Sequence, residues 1–210
     1  MSTGTWCISL NPFNDDPLTI EELQCDCLCY LQYQGKPVKA SRLFAGQEHE
    51  EQTTRIAAFF DQDPAKYSSV EFLPEIVSLL QKKVDRINWT TKKLIKESLF
   101  ATRELSQFSN DIEAYHQLVI DMMERQVAST VLVLKGSDIK RIFVDGGFSR
   151  NLVYMNLLAS AFPGIEIFAA SIAQATALGA ALAIHKTWNK KLLPNTVKLQ
   201  HYSLTQSMVL

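Results

Sequence analysis

The chain has 210 residues, of which 47% are apolar and 20% charged, the composition of a soluble globular protein forming one domain or one lobe of a larger one. Its 21 Lys and Arg against 22 Asp and Glu give a formal net charge of −1, which argues against the basic surface a nucleic-acid binder needs. No apolar run approaches the ~20 residues that cross a bilayer, and the first residues, MSTGTWCISLNPFNDD, show no basic region followed by an apolar one, so the expected location is the cytoplasm.

In chain order, the first 44 residues read as β structure. TWCISL is a short apolar strand, NPFNDDP a turn-rich loop, and LTIEELQCDCLCYLQYQGKPVKASRLF a strand, a turn at Gln34-Gly35 and a return strand. Three of the four cysteines, Cys25, Cys27 and Cys29, alternate; on a strand they share one face with Leu23 and Leu31. Sulfurs about 7 Å apart along a straight strand do not converge as zinc ligands must, so these are expected to be reduced thiols packed in the core.

Gly46 punctuates the chain, and QEHEEQTTRIAAFF, acidic first and apolar last, suits a helix. SSVEFLPEIVSLLQKKVDRI sets Val70, Leu73, Val77 and Leu80 on one helical stripe. The stretch NWTTKKLIKESLFATREL is partly helical by the same pattern. NDIEAYHQLVIDMMERQVASTVLVL sets Ile112, Tyr115, Val119, Met122 and Val127 on a second stripe. The last third alternates: strand RIFV, helix 151–161, strand GIEIFA and helix AQATALGAALAIHKTW, the signature of an α/β layer, with a tail that can add an edge strand. The closing helix is so rich in Ala and Gly that close packing on a sheet or another helix is expected. The four histidines, His49, His116, His185 and His201, read as solvated surface.

Two corners look chemical. In VDGGFSRN, residues 144–151, Gly146 and Gly147 lack Cβ, permit positive φ and let another group approach the backbone. The helix that follows presents free N–H groups, and Asn151 adds a side-chain donor and acceptor. A bare turn or a shelf for a purine or phosphate would both account for it. In STGTW, the backbone around Gly4 with the hydroxyls of Thr3 and Thr5 could hold phosphate oxygens, or the stretch could be no more than small residues at a chain end.

STGTW, VDGGFSRN and ATALGAALA, in that order, resemble the C-terminal domain of the FGGY carbohydrate kinases, nearest to the rhamnulokinase and fuculokinase branch, whose ends the tail HKTWNKKLLPNTVKLQHY also resembles. The resemblance covers nearly the whole chain. It implies an α/β fold, an actin-like (ribonuclease H-like) ATPase lobe with a mixed sheet, N-terminal β-hairpins and flanking helices, residues 1–210 acting as one domain that clamps ATP against a partner lobe.

Position by position, the resemblance implies that Gly4 and Thr5 face the ATP phosphates. Gly146 and Gly147 line the nucleotide, Asn151 lies near the adenine, and Gly46 with Glu50 contributes from the start of the next helix. Asp145 caps the turn or reaches a metal shell through water. ATP or ADP with Mg2+ are the implied ligands, and the reaction is transfer of the γ-phosphate to a sugar hydroxyl.

Three departures stand out. Gln174 replaces the family's usual glutamate before ATALGAA. The family's Gly-x-Asp catalytic base and its Asp-x-Gly-x-Thr phosphate hairpin are absent from these residues, and most sugar contacts belong to the lobe the chain lacks. The chain by itself is therefore expected to be inactive, with no catalytic or metal-ligating residue of its own and an exposed face through which it could self-associate. The alternative is a module that keeps the lobe for binding or interaction without chemistry. Either way, residues 3–5 and 146–151 must meet in one cleft.

Overall fold

A computed structural model describes residues 1–83, 89–170, 175–191 and 197–203. The N-terminal β structure is two hairpins. Strand β1 (Ser2–Thr3) pairs antiparallel with β2 (Cys7–Asn11), and β3 (Cys27–Leu31) with β4 (Pro37–Leu43), while β2 and β4 also pair antiparallel. Gly35, at φ +82°, makes the turn expected between β3 and β4.

The sequence between β2 and β3 departs from the strand expectation. Residues Ile20–Gln24 form a short helix, α1, because Thr19 and Glu22 close a capping box: the Thr19 Oγ1 accepts from the Glu22 N–H at 3.2 Å and the Glu22 carboxylate from the Thr19 N–H at 2.9 Å. Asp26 then turns the chain at φ +61° into β3. Cys25 ends the helix instead of sharing a strand face, so Cys25 and Cys27 are buried whereas Cys29, Leu23 and Leu31 are exposed. All four cysteines are free thiols.

After β4 come α2 (Ala45–Phe60), a 3-10 turn at Pro64–Ser69, α3 (Pro74–Lys83) and α4 (Thr91–Lys96). The helix expected from Ser68 starts only at Pro74. Val70 and Leu73 precede it, and Val77 and Leu80 are its buried pair; residues 84–88 of that expectation lie outside the described residues. Gly46 does not break the chain but sits in the first turn of α2.

Helix α5 (Asp111–Leu134) is the central element, capped by the Asn110 side chain, which accepts from the Glu113 N–H at 2.9 Å. The expected amphipathic stripe is only part of its surface. Tyr115, Val119 and Met122 are buried, Ile112 and Val127 half-buried, and so are polar residues on its other sides, among them Asp121, Arg125, Gln126 and Ser129. A polar seam joins it to the sheet: Ser9 to Thr130 at 2.9 Å, Ser41 to Ser129 at 3.0 Å, and Asn11 Nδ2 to the Val133 carbonyl at 2.8 Å. These hydroxyls and the Asn11 amide meet partners, which avoids the cost of about 1–3 kcal/mol for an orphaned polar group, although the Gln126 Oε1 beside them is buried without one.

The remaining elements are β5 (Arg141–Gly146), a 3-10 turn at Gly147–Arg150, α6 (Leu152–Ala161), β6 (Glu166–Ala170), α7 (Ala175–Ala183), α8 (His185–Trp188) and β7 (Leu199–Tyr202). β5 pairs parallel with both β1 and β6, and β7 adds the edge strand antiparallel to β6. The sheet order is β3-β4-β2-β1-β5-β6-β7. The expected closing helix is interrupted at Ile184, and it does not pack closely: Gly179, Ala180 and Ala181 are exposed or half-exposed, and Leu182, Ile184 and Trp188 are 40%, 51% and 62% exposed. Gln174 lies outside the described residues. On the sheet, Leu10, Tyr30 and Phe143 are exposed, with Phe143, Phe168 and His201 in successive ring contact.

Helix α2 is held to α5 by buried charge. Arg125 pairs with Glu48, and its Nε and Nη2 donate to the carbonyls of Leu94 at 2.9 Å and Ile95 at 2.8 Å in α4. Burial pulls the Arg125 guanidinium down to about 10, so it still carries its charge at neutral pH. Replacing one member strands the other. We expect Arg125→Met to lose about 3–5 kcal/mol of unfolding free energy in a urea titration at neutral pH.

Candidate functional site

The sheet brings the two corners together. Strand β1 is two residues long and pairs parallel with the end of β5, Ser2 against Asp145 and Thr3 against Gly146. Both chains therefore leave the sheet at the same edge, one into Gly4-Thr5 and the other into Gly147–Asn151. Thr3 fastens them: its Oγ1 donates to the Asp145 carbonyl and accepts from the Phe148 N–H at 3.1 Å. That hydroxyl is buried and committed to the protein, which corrects the expectation that it could hold a phosphate.

A third wall comes from α2. Its first turn has no side-chain cap; instead the Gly46 N–H donates to the Thr5 carbonyl at 3.0 Å. A Cβ on Gly46 would lie 2.0 Å from the Gly4 oxygen, so only glycine lets the helix start so close to the β1–β2 turn.

Between these walls is a cavity of about 320 Å3, within the range of small-molecule sites. Gly4 and Thr5 line it from one corner, Gly46, His49 and Glu50 from α2, Ser68 from the 3-10 turn after α2, and Gly147, Phe148, Arg150 and Asn151 from the other corner. The beginnings of α2 and α6 both face it, and the positive ends of two helix dipoles favour an anion there. The Arg150 side chain adds a formal positive charge.

Of the residues expected from sequence, Gly4, Thr5, Gly46, Glu50, Gly147 and Asn151 all line this cavity. Gly146 does not. At φ +84°, and with room so short that a Cβ would fall 1.7 Å from the Thr3 oxygen, it is the glycine that allows β5 to turn against β1. Gly147 is the converse: a Cβ there meets nothing within 4 Å. Asn151 is the N-cap of α6, its Oδ1 accepting from the Tyr154 N–H at 3.0 Å and its Nδ2 donating to the Tyr115 hydroxyl at 2.6 Å. Asp145 makes no side-chain cap; its Oδ1 is buried without a hydrogen-bond partner.

His49, Ser68, Phe148 and Arg150 carry no expectation as site residues from the sequence. Phe148 and Arg150 lie inside VDGGFSRN and can be found there; Ser68 has no signal. His49 reverses its surface expectation. Its ring stands edge-on to Phe148 at 5.3 Å and to Tyr115 at 5.8 Å, with its Nε2 3.2 Å from the Tyr115 hydroxyl. Burial pushes the imidazole down to about 4 and the Tyr115 phenol up to about 12, so both are neutral at pH 7. His49 is half-buried, and His116 and His185 are buried and hydrogen-bonded to Leu73, Ile112 and Lys191 backbone atoms, while His201 is exposed as expected. Among the described residues no group of three or more His, Cys, Asp or Glu could hold a metal ion, and no helix is long and apolar enough to cross a membrane.

The family model described as "Carbohydrate kinase FGGY, C-terminal domain" matches residues 1–192. Two solved structures are similar in fold. One is a carbohydrate kinase from Novosphingobium aromaticivorans, 20% identical with a TM-score of 0.61 over 97% of this chain and 42% of that one. The other is a ligand-bound xylulose kinase from Lactobacillus acidophilus, 13% identical with a TM-score of 0.61 over 98% and 42%. The chain thus spans 42% of the length of each. Their likeness establishes the actin-like ATPase fold, with its mixed sheet of seven strands among the described residues. No curated protein matches the chain.

The half-buried His49 imidazole has a measurable consequence. Its folded pKa of about 4 lies below the ordinary 6.5, so below pH 6.5 the unfolded chain takes up a proton that the folded chain refuses. This contribution to stability is fully present above pH 6.5 and is lost as the pH falls towards 4. We expect the urea midpoint of the wild type to fall more steeply across that window than that of His49→Phe, with the His116 contribution common to both.

Proposed function

The chain belongs to the FGGY carbohydrate kinases as a C-terminal domain, and on that premise we propose that it is the ATP-binding half of a kinase that transfers the γ-phosphate of ATP to a sugar hydroxyl. The observation that carries this reading is the single cavity between the β1–β2 turn, the start of α2 and the β5–α6 corner. The Gly4-Thr5 turn and the start of α2 would take the phosphates, with the helix dipole and Arg150 offsetting their charge. Gly147, Phe148 and Asn151 would take the nucleoside. Gly147 matters because its open Cβ position leaves room that any side chain would fill.

Mg2+ would enter with the triphosphate, held by phosphate oxygens and water, which is its usual mode in kinase sites. The residues present fit that mode: the lining carboxylate is Glu50, and the described residues form no separate metal cage. When bound, the ion supplies charge neutralisation on the phosphates.

Phosphoryl transfer needs positioning and charge neutralisation more than covalent chemistry. In this proposal the 210 residues act as one lobe that supplies the nucleotide seat. A partner lobe supplies the carboxylate that takes the hydroxyl proton and most of the sugar contacts, and closure of the two excludes water and so suppresses ATP hydrolysis. STGTW and the HKTW tail support placement near the rhamnulokinase and fuculokinase branch. The near-zero formal charge supports a chain with no nucleic-acid partner, and the proposed location is the cytoplasm, with no membrane partner. The exposed side chains of α7, α8 and the sheet are where self-association would occur.

Calorimetry of the 210-residue chain with ADP and Mg2+ tests the proposal. We expect binding in the wild type, and in Gly147→Leu a loss of binding with an unchanged melting temperature. Equal affinity in both would remove the cavity as the nucleotide seat. With ATP and a panel of sugars, a coupled ADP-release assay of the chain alone is expected to show no sugar-dependent turnover.

A further inference from the structure

Three side chains at one end of the cavity form a relay whose direction is fixed by its chemistry. The Asn151 Oδ1 is held by the Tyr154 N–H, so the Asn151 amide presents its Nδ2 to Tyr115, donating to the phenol oxygen at 2.6 Å. An amide nitrogen can only donate, so the phenol oxygen accepts there. The phenol has one hydrogen of its own, and the other polar atom at its oxygen is the His49 Nε2 at 3.2 Å. The phenol hydrogen is satisfied only when it goes to that nitrogen, which must then be the bare one. The ring proton is left on Nδ1.

Among the described residues Nδ1 has no partner, and His49 lines the cavity beside Phe148 and Asn151. A neutral histidine fixed in one tautomer is therefore a donor with nothing in the protein to donate to. Tyr115 is itself stacked on Tyr67 at 5.2 Å, and Phe148 on Tyr154 at 4.7 Å, so neither neighbour is free to turn away.

We propose that His49 is a specificity-determining residue of the nucleotide site, its Nδ1–H donating to a ring nitrogen of a purine base, with Tyr115 and Asn151 fixing the tautomer that makes it a donor. This rests on the cavity being the nucleotide seat. Imidazole at this position, rather than an aliphatic side chain, gives the base end of the cavity a directional contact. Such a contact distinguishes a bare ring nitrogen from one carrying hydrogen, which repulsion between two N–H groups would reject.

The probes are ADP and its 1-deaza, 3-deaza and 7-deaza analogues, each lacking one ring-nitrogen acceptor, titrated calorimetrically into the wild-type chain and into His49→Phe. The expected result is that the wild type binds ADP and binds one of the three analogues about tenfold more weakly, the size of one neutral hydrogen bond. In His49→Phe, ADP and that analogue should bind alike. Tyr115→Phe, which keeps the histidine but removes the hydrogen that sets its tautomer, should shrink the discrimination several-fold. It decides the matter if His49→Phe does not fold.

Equal affinity of the wild type for ADP and all three analogues overturns the proposal while leaving the nucleotide seat intact. So does discrimination that persists in His49→Phe or is undiminished in Tyr115→Phe. Failure of the wild type to bind ADP at all overturns the seat itself and the proposal with it.

Discussion

The pairing of β1 with β5 is the contact on which the cavity depends. Two residues of strand, Ser2 and Thr3, lie parallel to Asp145 and Gly146 from the far part of the chain, and the Thr3 hydroxyl bridges the Asp145 carbonyl and the Phe148 N–H. Two residues provide few ladder bonds, so the side-chain bridge and the close approach at Gly146 carry much of the register. A shift by one residue would turn Thr3 to the opposite face of the sheet and break the bridge. The register of β1 is thereby tied to the geometry of the corners beyond it.

The third wall is fixed differently. Helix α2 begins against the Thr5 carbonyl and is anchored further along by the Glu48 pair with Arg125 on α5. Such a pair contributes little net stability compared with apolar residues of similar size, because two charges must leave water. Its value here is positional. Arg125 also reaches the α4 carbonyls, so one guanidinium ties α2, α4 and α5 at a fixed distance. With α2 held, Gly46, His49 and Glu50 stay opposite the β5–α6 corner. The buried glutamate lies in the same turn as groups that favour an anion, but its charge is matched by the arginine. The field in the cavity is left to the helix ends, Arg150 and the lining carboxylate of Glu50.

Much of this is legible in the sequence, and the reasons are local. The alternation of strands and helices after residue 140, the turn at Gly35, the edge strand in the tail and the two glycine corners are all set by neighbours within a few positions. What is not legible depends on distant partners or on a competing local rule. Thr19 and Glu22 prevail over the alternation of cysteines, since a capping box satisfies two backbone donors that a strand there would leave to chance. The two glycines of VDGGFSRN look alike in sequence, but Gly146 serves the backbone and Gly147 the cavity. Asn151 can be placed at the corner, though its commitment to Tyr154 and Tyr115 cannot be seen. His49 and His116 look solvated because their sequence neighbours are charged, while the phenol that contacts His49 lies 66 positions away.

The same commitments narrow what the cavity offers a ligand. Thr3 is used by the backbone, Asn151 has its Oδ1 on a helix cap and one Nδ2 hydrogen on Tyr115, and the Tyr115 hydroxyl is spent between Asn151 and His49. The groups left over are the hydroxyl of Thr5, the Glu50 carboxylate, the guanidinium of Arg150, the imidazole of His49 and the bare main chain at Gly147, since the Ser68 hydroxyl donates to the Ala65 carbonyl at 2.7 Å and the Gly4 N–H to the Trp6 carbonyl at 3.0 Å. Cationic and donor groups dominate that set, with a flat apolar ring, Phe148, among them. A ligand that is anionic at one end and planar at the other matches this set better than a neutral sugar, whose hydroxyls would need as many acceptors as donors. Because the cavity walls are fixed by register and by buried charge rather than by side chains free to rotate, a ligand would meet them already in place, with little ordering cost to offset.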